Sequence, residues 1–259
     1  MAMATLLSII TVVYNAQSTL QRTIDSVRSQ TWTEHIEHVI IDGASTDGTL
    51  DILQHYKKSN PKLSISIVSE PDKGLYDAMN KGLHKAKGTY VCFLNAGDKL
   101  HDPHTVEQAF VSAGLGTGSE TGKDKPQIGI IYGDTDIVDN NGKYLHKRHL
   151  NPPEYLTWQS FKQGMLVCHQ SFYARRDICC DYDTRYRLSA DVDWCIRVMR
   201  EGERKGLANH YTHTVLTDYL DEGMTTRNHR ASLIERFKVM TQHYGLIPTV
   251  VRHITFLFR

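Results

Sequence analysis

The chain of 259 residues is 40% hydrophobic and 23% charged, which is enough apolar material for one large α/β core or two smaller ones. Its 30 basic and 29 acidic side chains leave a net charge of +1, which excludes a nucleic-acid binder that relies on overall positive charge. No apolar run of about 18 residues is present, and the first six residues lack the pattern of a secretion signal. Five cysteines without a C-x-x-C pair indicate reduced thiols, so we expect a cytoplasmic protein with no nucleic-acid partner.

Four β-branched, apolar segments recur at regular intervals in the first hundred residues. They begin at Leu6, Ile36, Leu63 and Thr89, which are 30, 27 and 26 residues apart. The segments between them carry apolar residues at helical spacing. Because a βαβ unit needs roughly 30 residues, this alternation predicts an α/β fold with a mostly parallel, doubly wound sheet over residues 5–113.

The second half of the chain has a different texture. Residues 114–126 are rich in Gly and charged residues and predict a mobile loop. They contain G-x-G-x-G, a pattern found in phosphate-binding loops. A phosphate-binding role is disfavoured, because no strand precedes the motif and no Lys-Ser/Thr follows it. Residues 127–244 show short strands, an Asn-Asn-Gly hairpin turn at 140–142 and a helix near 190–201. They predict a smaller mixed α+β lobe that completes the first.

Polar and acidic residues follow each of the first four predicted strands. The first strand ends in Tyr14-Asn15, and the other three are followed by Asp42, Asp72 and Asp98. In an open parallel sheet these ends share one edge, where ligands bind. Carboxylates there hold a divalent cation that neutralises phosphates, so the pattern predicts an enzyme acting on a nucleotide diphosphate. Asp42 and Asp98 have the alternative role of turn or helix-capping residues.

Five segments, in this order, resemble the family 2 inverting glycosyltransferases, which have the GT-A fold. The resemblance extends from about Leu6 to Tyr244. Each motif is short, but five in one order are specific. The segments are SIITVVYN (8–15), IDGASTDGT (41–49), EPDKGLYDAMNKG (70–82), NAGD (95–98) and LSADVDW (188–194).

The resemblance implies a UDP-sugar donor bound mainly by the first three segments. A later segment, residues 219–228, resembles a loop that closes over the donor in family members, and its Arg227 is implied to contact the diphosphate. The other residues implied to bind the nucleotide or its sugar are Thr11, Tyr14, Asn15, Asp42, Asp72, Lys73, Asp77, Asn80 and Asn95.

The resemblance also implies a metal ligand and a general base. The family's D-x-D-type motif binds Mn²⁺ or Mg²⁺; here it reads Asn95-Ala-Gly-Asp98, which keeps one carboxylate, so Asp98 is the implied ligand. The family's acidic base motif is reduced to Asp191, with Asp193 as the alternative base. Deprotonation of an acceptor hydroxyl and attack opposite the diphosphate would convert an α-linked donor into a β-linked product.

Three more residues are expected to serve the acceptor. The segment Cys168–Ser171 resembles a His-Gln pair in polysaccharide-building members of the family, which implicates His169 and Gln170. Trp194, close to the base, is placed to stack on a sugar ring. A structural histidine and a core tryptophan are the alternatives.

The C-terminal residues 245–259 predict an amphipathic helix too short to span a bilayer. Its apolar stripe includes Ile247, Val250, Val251 and Ile254. We expect either peripheral contact with the inner face of the cytoplasmic membrane, or packing against the body or a second copy in a homodimer.

Together these features predict a metal-dependent glycosyltransferase that transfers Glc, Gal, GlcNAc or GalNAc to a polyprenyl-diphosphate-linked saccharide in bacterial surface-polysaccharide synthesis. Two other classes are open. A sugar nucleotidyltransferase shares the alternating sheet but needs a Gly-rich loop after the first strand, where this chain has Tyr14-Asn15-Ala16-Gln17. A non-catalytic nucleotide-sugar-binding module would keep Asp42 and tolerate loss of Asp98 and Asp191.

Overall fold

The structure is a computed structural model and describes residues 5–116, 127–221 and 229–256. Most of the predicted loop, residues 117–126, lies outside the described residues. The strands are β1 Leu7–Val13, β2 Ile36–Asp42, β3 Ser64–Ser69, β4 Tyr90–Phe93, β5 Lys99–Leu100, β6 Ile128–Val138, β7 Tyr144–Lys147, β8 Phe172–Arg175 and β9 Ala208–Leu220. The helices are α1 Leu20–Arg28, α2 Thr49–Ser59, α3 Leu75–Lys85, α4 Thr105–Ser112, α5 Ala190–Arg204, α6 His229–Tyr244 and α7 Leu246–Phe256.

The first four strands form the predicted parallel sheet, in the order β3-β2-β1-β4. Every residue of β1 and β2 is buried, as expected for parallel strands covered by helices on both faces. The apolar positions Leu20, Ile24 and Val27 of α1 face this core. The predicted α/β class is therefore confirmed.

The second half of the chain continues the same sheet. β8 lies antiparallel between β4 and β6, β9 pairs in parallel with β6, and β5 pairs with β9. The hairpin from β6 to β7 contains the predicted turn, in which Gly142 has a φ of 80°. One nine-stranded sheet thus runs through both predicted lobes, whose boundaries remain a prediction.

Hydrophobic cores cover both faces of the sheet. One contains Ile10, Phe93 and Trp194, and the other contains Ile9, Tyr90 and Phe110. Helix α3 approaches β1 so closely at Gly82 that a Cβ there would lie 2.3 Å from Cγ2 of Ile10.

The strand register aligns the ends that are expected to carry the site. Val13 pairs with Asp42, and Asp42 pairs with Ser69. β4 lies on the other side of β1, so the NAGD segment that follows it is brought to the same edge.

Candidate active site

Asp42 holds the loop that follows β2. Its carboxylate accepts hydrogen bonds from the backbone N–H of Ser45, at 3.2 and 3.3 Å, and from the hydroxyls of Ser45 (2.5 Å) and Ser69 (2.6 Å). The side chain is completely buried. With no exposed atom and three internal donors, Asp42 positions the loop, and its expected contact with a nucleobase stays a prediction.

Thr11 also lies below the edge of the sheet. It has no exposed surface, and its Oγ1 is 2.9 Å from Nε2 of His38, whose Nδ1 lies 3.1 Å from the Tyr56 hydroxyl. Burial lowers the pKa of His38 to about 3, so this polar chain is uncharged. The side chain of Thr11 is therefore engaged in the core, and the expectation that Thr11 borders the uracil stays a prediction.

Tyr14 and Asn15 do reach the edge. Tyr14 is 64% exposed. Asn15 adopts a left-handed φ of 48°; its N–H donates to Ser45 Oγ at 2.8 Å, and its Oδ1 accepts from the Thr46 N–H at 2.9 Å. Asn15 thus ties the first loop to the second, while the Tyr14 ring is available to a ligand.

The loop that follows β3 lies beside the loops that follow β1 and β2, at the same edge of the sheet. Asp72 accepts from the Gly74 N–H at 2.7 Å, and a Cβ at Gly43 would lie 2.4 Å from its Oδ2 and 3.4 Å from Cδ2 of Tyr14. Tyr14, Gly43 and Asp72 therefore converge on one narrow space. Lys73 is exposed beside it, and its N–H donates to Asp77 at 3.0 Å.

Asn80 does not face this space. Its Nδ2 donates to the Tyr182 carbonyl at 3.0 Å, and its Oδ1 accepts from the Tyr182 N–H at 2.7 Å. Both amide atoms are therefore committed to the backbone of one residue. Asn80 thus connects α3 with the segment before α5, and its expected nucleotide contact stays a prediction.

Asp98 is buried at the end of the NAGD segment. Its Oδ2 accepts from Gln170 Nε2 at 2.8 Å and its Oδ1 from the Leu220 N–H at 3.0 Å. Burial raises the pKa of Asp98 to about 6, against the lowering effect of these hydrogen bonds and of the nearby His169 charge. Nearby, the Oδ1 of Asn95 is buried and has no hydrogen-bond partner among the described residues.

These donors fit a hard divalent cation. A carboxylate held ready by two hydrogen bonds and an amide oxygen that lacks a partner are ligands that Mg²⁺ and Mn²⁺ accept. The cation would also remove the cost of burying the Asp98 charge. The residues that would hold it are Asp98 and Asn95.

Asp191 lies in the first turn of α5, with its side chain 19% exposed. Its Oδ1 accepts from the Tyr76 hydroxyl at 3.3 Å and the Val192 N–H at 3.0 Å, and its Oδ2 is 3.5 Å from Nδ1 of His169. Burial acts to raise the pKa of Asp191, but the bond and charge of His169 and the charge of Arg236 outweigh it, so the pKa is lowered. The carboxylate is therefore ionised.

The alternative base, Asp193, is engaged elsewhere. It is 1% exposed, and its carboxylate contacts Nε of Arg197 and Nε2 of His243, each at 2.7 Å. This buried ion pair leaves it no access to a substrate hydroxyl. The structure thus favours Asp191 over Asp193.

The His-Gln pair joins the two halves of the site. Gln170 donates to Asp98 while its Oε1 accepts from the Cys168 thiol at 2.7 Å, so its amide is used within the protein. The expectation that Gln170 binds the acceptor stays a prediction. His169 contacts Asp191 through Nδ1, and its buried Nε2 has no partner among the described residues. A substrate hydroxyl would satisfy that nitrogen.

Trp194 is a core residue. It has no exposed surface, its Nε1 donates to the Cys180 carbonyl at 2.7 Å, and its ring stacks on Tyr182 with centroids 5.0 Å apart. These contacts favour the alternative of a core tryptophan, and the expected stacking on an acceptor sugar stays a prediction. Arg227, the expected diphosphate contact, lies outside the described residues.

The motif comparison missed two residues that shape the site. Tyr76 donates to the base, and burial followed by the Asp191 charge raises its pKa well above the ordinary value, so it keeps its proton. Glu235 of α6 accepts from the N–H groups of Leu188 (2.7 Å) and Ser189 (3.1 Å), just before the base. Tyr76 lies inside a recognised motif, but no signal in the sequence pairs Glu235 with this loop.

Comparison with known proteins agrees with this arrangement. Residues 8–113 match the family model for glycosyl transferase family 2. The chain is 32% identical over 225 residues to the PGL/p-HBAD biosynthesis glycosyltransferase of Mycobacterium bovis, which covers 85% of this chain and 78% of the relative. It is 43% identical over 94 residues, 36% of each protein, to Bacillus subtilis TuaG, a glycosyltransferase assigned to teichuronic acid biosynthesis.

Solved structures share the fold at low sequence identity. Residues 1–349 of Staphylococcus aureus TarS, crystallised with UDP-GlcNAc, superpose with a TM-score of 0.67 at 14% identity, covering 97% of this chain and 73% of that one. The mannosyltransferase PcManGT of Pyrobaculum calidifontis, with GDP-Man and Mn²⁺, gives 0.65 at 16% identity, covering 96% and 74%. With a GT-A fold, a family-model match and a relative aligned over most of both sequences, the chain belongs to glycosyl transferase family 2 and is a glycosyltransferase.

Proposed function

We propose that this enzyme is an inverting transferase that moves a hexose or N-acetylhexosamine from a UDP-sugar to a hydroxyl of a polyprenyl-diphosphate-linked saccharide, in bacterial surface-polysaccharide synthesis. The observation that carries the proposal is the continuous link from Asp98 through Gln170 and His169 to Asp191. This link supports a proposed cation-binding carboxylate and a proposed base that act in one site. Family membership sets aside the nucleotidyltransferase and the non-catalytic module.

The donor occupies the edge formed by the loops after β1, β2 and β3. The base and ribose lie against Tyr14, Gly43 and Asp72, and the exposed Lys73 supplies positive charge toward the diphosphate. The complex of TarS with UDP-GlcNAc supports UDP over GDP, and the complex of PcManGT with GDP-Man makes GDP-mannose the competing donor to test.

Asp98 and Asn95 hold Mg²⁺ or Mn²⁺, and Arg227 is the proposed additional contact to the diphosphate. When bound, the cation supplies Lewis-acid stabilisation of the departing UDP. The complex of PcManGT with Mn²⁺ supports this assignment.

Asp191 takes the proton of the attacking hydroxyl. The Tyr76 hydroxyl and His169 Nδ1 each contact one of its carboxylate oxygens, so its orientation is fixed before the acceptor arrives. His169 Nε2, which has no hydrogen-bond partner among the described residues, is the group that we assign to the acceptor. As the acceptor oxygen bonds to the anomeric carbon, the bond to UDP breaks on the opposite face and the configuration inverts.

The acceptor assignment rests on relatives named for cell-surface glycans and on the exposed apolar side chains of α7. Ile247 is 77% exposed, Val251 57% and Ile254 49%. Among the described helices, none is long and apolar enough to cross a bilayer. We therefore place α7 in the membrane interface, where a polyprenyl carrier resides.

The test is transfer from a panel of UDP-sugars and GDP-mannose to a synthetic polyprenyl-diphosphate monosaccharide, with Mg²⁺, Mn²⁺ or EDTA. Asp191→Asn should keep UDP binding while kcat falls about 10²–10⁴-fold. Glu201→Gln, the same change on the exposed side of α5, should leave both unchanged. Equal rates for Asp191→Asn and the parent would remove the base assignment, and transfer from GDP-mannose alone would overturn the donor.

His169 is tested as a positioning residue in the same assay. Removing its contact takes away the main influence that lowers the Asp191 pKa, so His169→Ala should move the acidic limb of the kcat profile to higher pH, besides reducing kcat. A reduced kcat with an unmoved pH profile would limit His169 to a structural role.

A further inference from the structure

A second group of potential metal ligands lies at the end of the sheet beside β5. His101, Asp136 and Asp218 each offer one ligand atom, and these atoms lie within 4.8 Å of one another. Asp136 of β6 pairs directly with Asp218 of β9. The preceding pair, Thr135 and Thr217, contacts the segment that carries the His-Gln pair. Because successive strand residues point to opposite faces, the group faces away from the candidate active site.

One carboxylate oxygen in this group lacks a hydrogen-bond partner among the described residues. Asp218 is satisfied: its Oδ1 is 2.6 Å from Nδ1 of His101, and its Oδ2 is 2.7 Å from Nζ of Lys99. Asp136 is 9% exposed, and its buried Oδ1 has no hydrogen-bond partner among the described residues. A buried, unpaired carboxylate oxygen is costly unless a ligand satisfies it.

We propose that His101, Asp136 and Asp218 form a second divalent-cation site, distinct from the one at Asp98. An imidazole with two carboxylates suits Mn²⁺, Co²⁺ or Zn²⁺, whereas Mg²⁺ prefers oxygen ligands alone. Binding would release to solvent the proton of the His101 nitrogen that coordinates the ion, and would give the unpartnered oxygen of Asp136 a ligand. The ion enters from the surface, since the side chain of His101 is 38% exposed.

The negative charges of the group favour a cation, and the ammonium of Lys99 competes with it. Of the two carboxylates, Asp218 contacts the ammonium of Lys99, while Lys147 lies opposite Asp136 on β7 with its side chain exposed. The ammonium of Lys99 occupies one oxygen of Asp218 and therefore opposes the ion. Removing that ammonium should strengthen metal binding.

A bound ion would join β5, β6 and β9 at one point. Asp98 directly precedes β5, and its carboxylate accepts from Leu220 at the end of β9. The site would therefore stabilise the start of β5 and the end of β9, the two strand ends that hold Asp98.

The experiment is titration of the whole protein with Co²⁺, followed by the visible absorption of the imidazole-bound ion. Parent protein and Asp98→Asn should bind Co²⁺ alike at this site, while Asp136→Asn and His101→Gln should each weaken binding at least about 10-fold. Lys99→Gln should tighten it. Asp136→Asn is nearly isosteric, and its near-ultraviolet circular dichroism checks the fold.

His104→Gln is the matched control, because His104 is an exposed histidine three residues away that is not part of the group. It should not alter Co²⁺ affinity. The proposal fails if Asp136→Asn and the parent bind Co²⁺ equally, or if neither gives the absorption. Since the readout is metal binding at a site apart from Asp98, failure here leaves the proposed glycosyl transfer standing.

Discussion

At the scale of single residues, the candidate active site contains polar groups whose burial costs stability. A bound substrate or cation would relieve that cost. Asp98 is almost fully buried, and the unpartnered atoms of Asn95 and His169 add two further unsatisfied positions. Buried polar atoms are paired in nearly all proteins, so such a concentration at one place is typical of a binding site. Substrate and cation are the natural partners for these atoms.

Asp98 makes this cost measurable as a function of pH. Its pKa is about 6 in the folded protein and has an ordinary value of 3.8, so the folded state holds the proton more tightly. Below the ordinary value Asp98 is protonated in both states and costs nothing; above pH 6 its buried charge destabilises the fold by about 3 kcal/mol.

Replacing Asp98 by Asn should therefore raise the metal-free unfolding free energy at about pH 8 by up to about 3 kcal/mol, and the gain should vanish near about pH 4. The measurement is urea unfolding across this pH range. Added Mn²⁺ should stabilise the parent but not the variant at the Asp98 site. A stability difference that does not change with pH would show that Asp98 is not the titrating group.

At the scale of secondary-structure elements, the periodic sequence patterns predicted where strands, turns and helices lie along the chain. The parallel strands, the turn at Gly142 and the start of α5 at Ala190 all follow from local spacing. Side-chain direction was harder to predict, because a motif places a residue on an element but packing decides which way it points. Thr11 and Trp194 lie in the expected elements and face the core. Glu235 accepts from the backbone just before Asp191, about 45 residues away in the sequence, and only the tertiary fold determines this contact.

Substitution of Asn80 tests whether the direction of a side chain, rather than its place in a motif, decides the role of the residue. Asn80→Ala removes two hydrogen bonds to Tyr182 and should lower the unfolding free energy by about 1–3 kcal/mol, while UDP affinity stays within about twofold. Asn80→Asp keeps the acceptor for the Tyr182 N–H and should lose less. Urea unfolding and UDP titration measure the two effects. A large loss of UDP affinity at unchanged stability would instead make Asn80 a nucleotide ligand.

At the scale of the whole molecule, the C-terminal helices connect the base to the surface. Helix α6 supplies Glu235 to the backbone before Asp191 and His243 to the buried ion pair at Asp193. Helix α7 follows α6 after Gly245 and packs against it while leaving its apolar stripe exposed. The surface proposed to engage a lipid is therefore two helices from the carboxylate proposed as the base, an arrangement that would suit an acceptor held at a membrane.

This placement predicts how membrane contact and catalysis separate. The double variant Ile247→Glu/Val251→Glu should abolish sedimentation with anionic phospholipid vesicles, because it puts two charges on the apolar face of α7. The rate of transfer to a short-chain, water-soluble acceptor should remain within about twofold of the parent, since α7 touches neither Asp98 nor Asp191 in the structure described. The rate of transfer to a long-chain polyprenyl acceptor in vesicles should fall about 10-fold or more. Tyr155→Glu, which introduces a charge at an 85% exposed aromatic residue elsewhere, is the control and should still bind vesicles. If the parent protein ignores vesicles and sediments as a dimer that the double variant disrupts, the exposed stripe of α7 is a subunit interface and the membrane assignment is wrong.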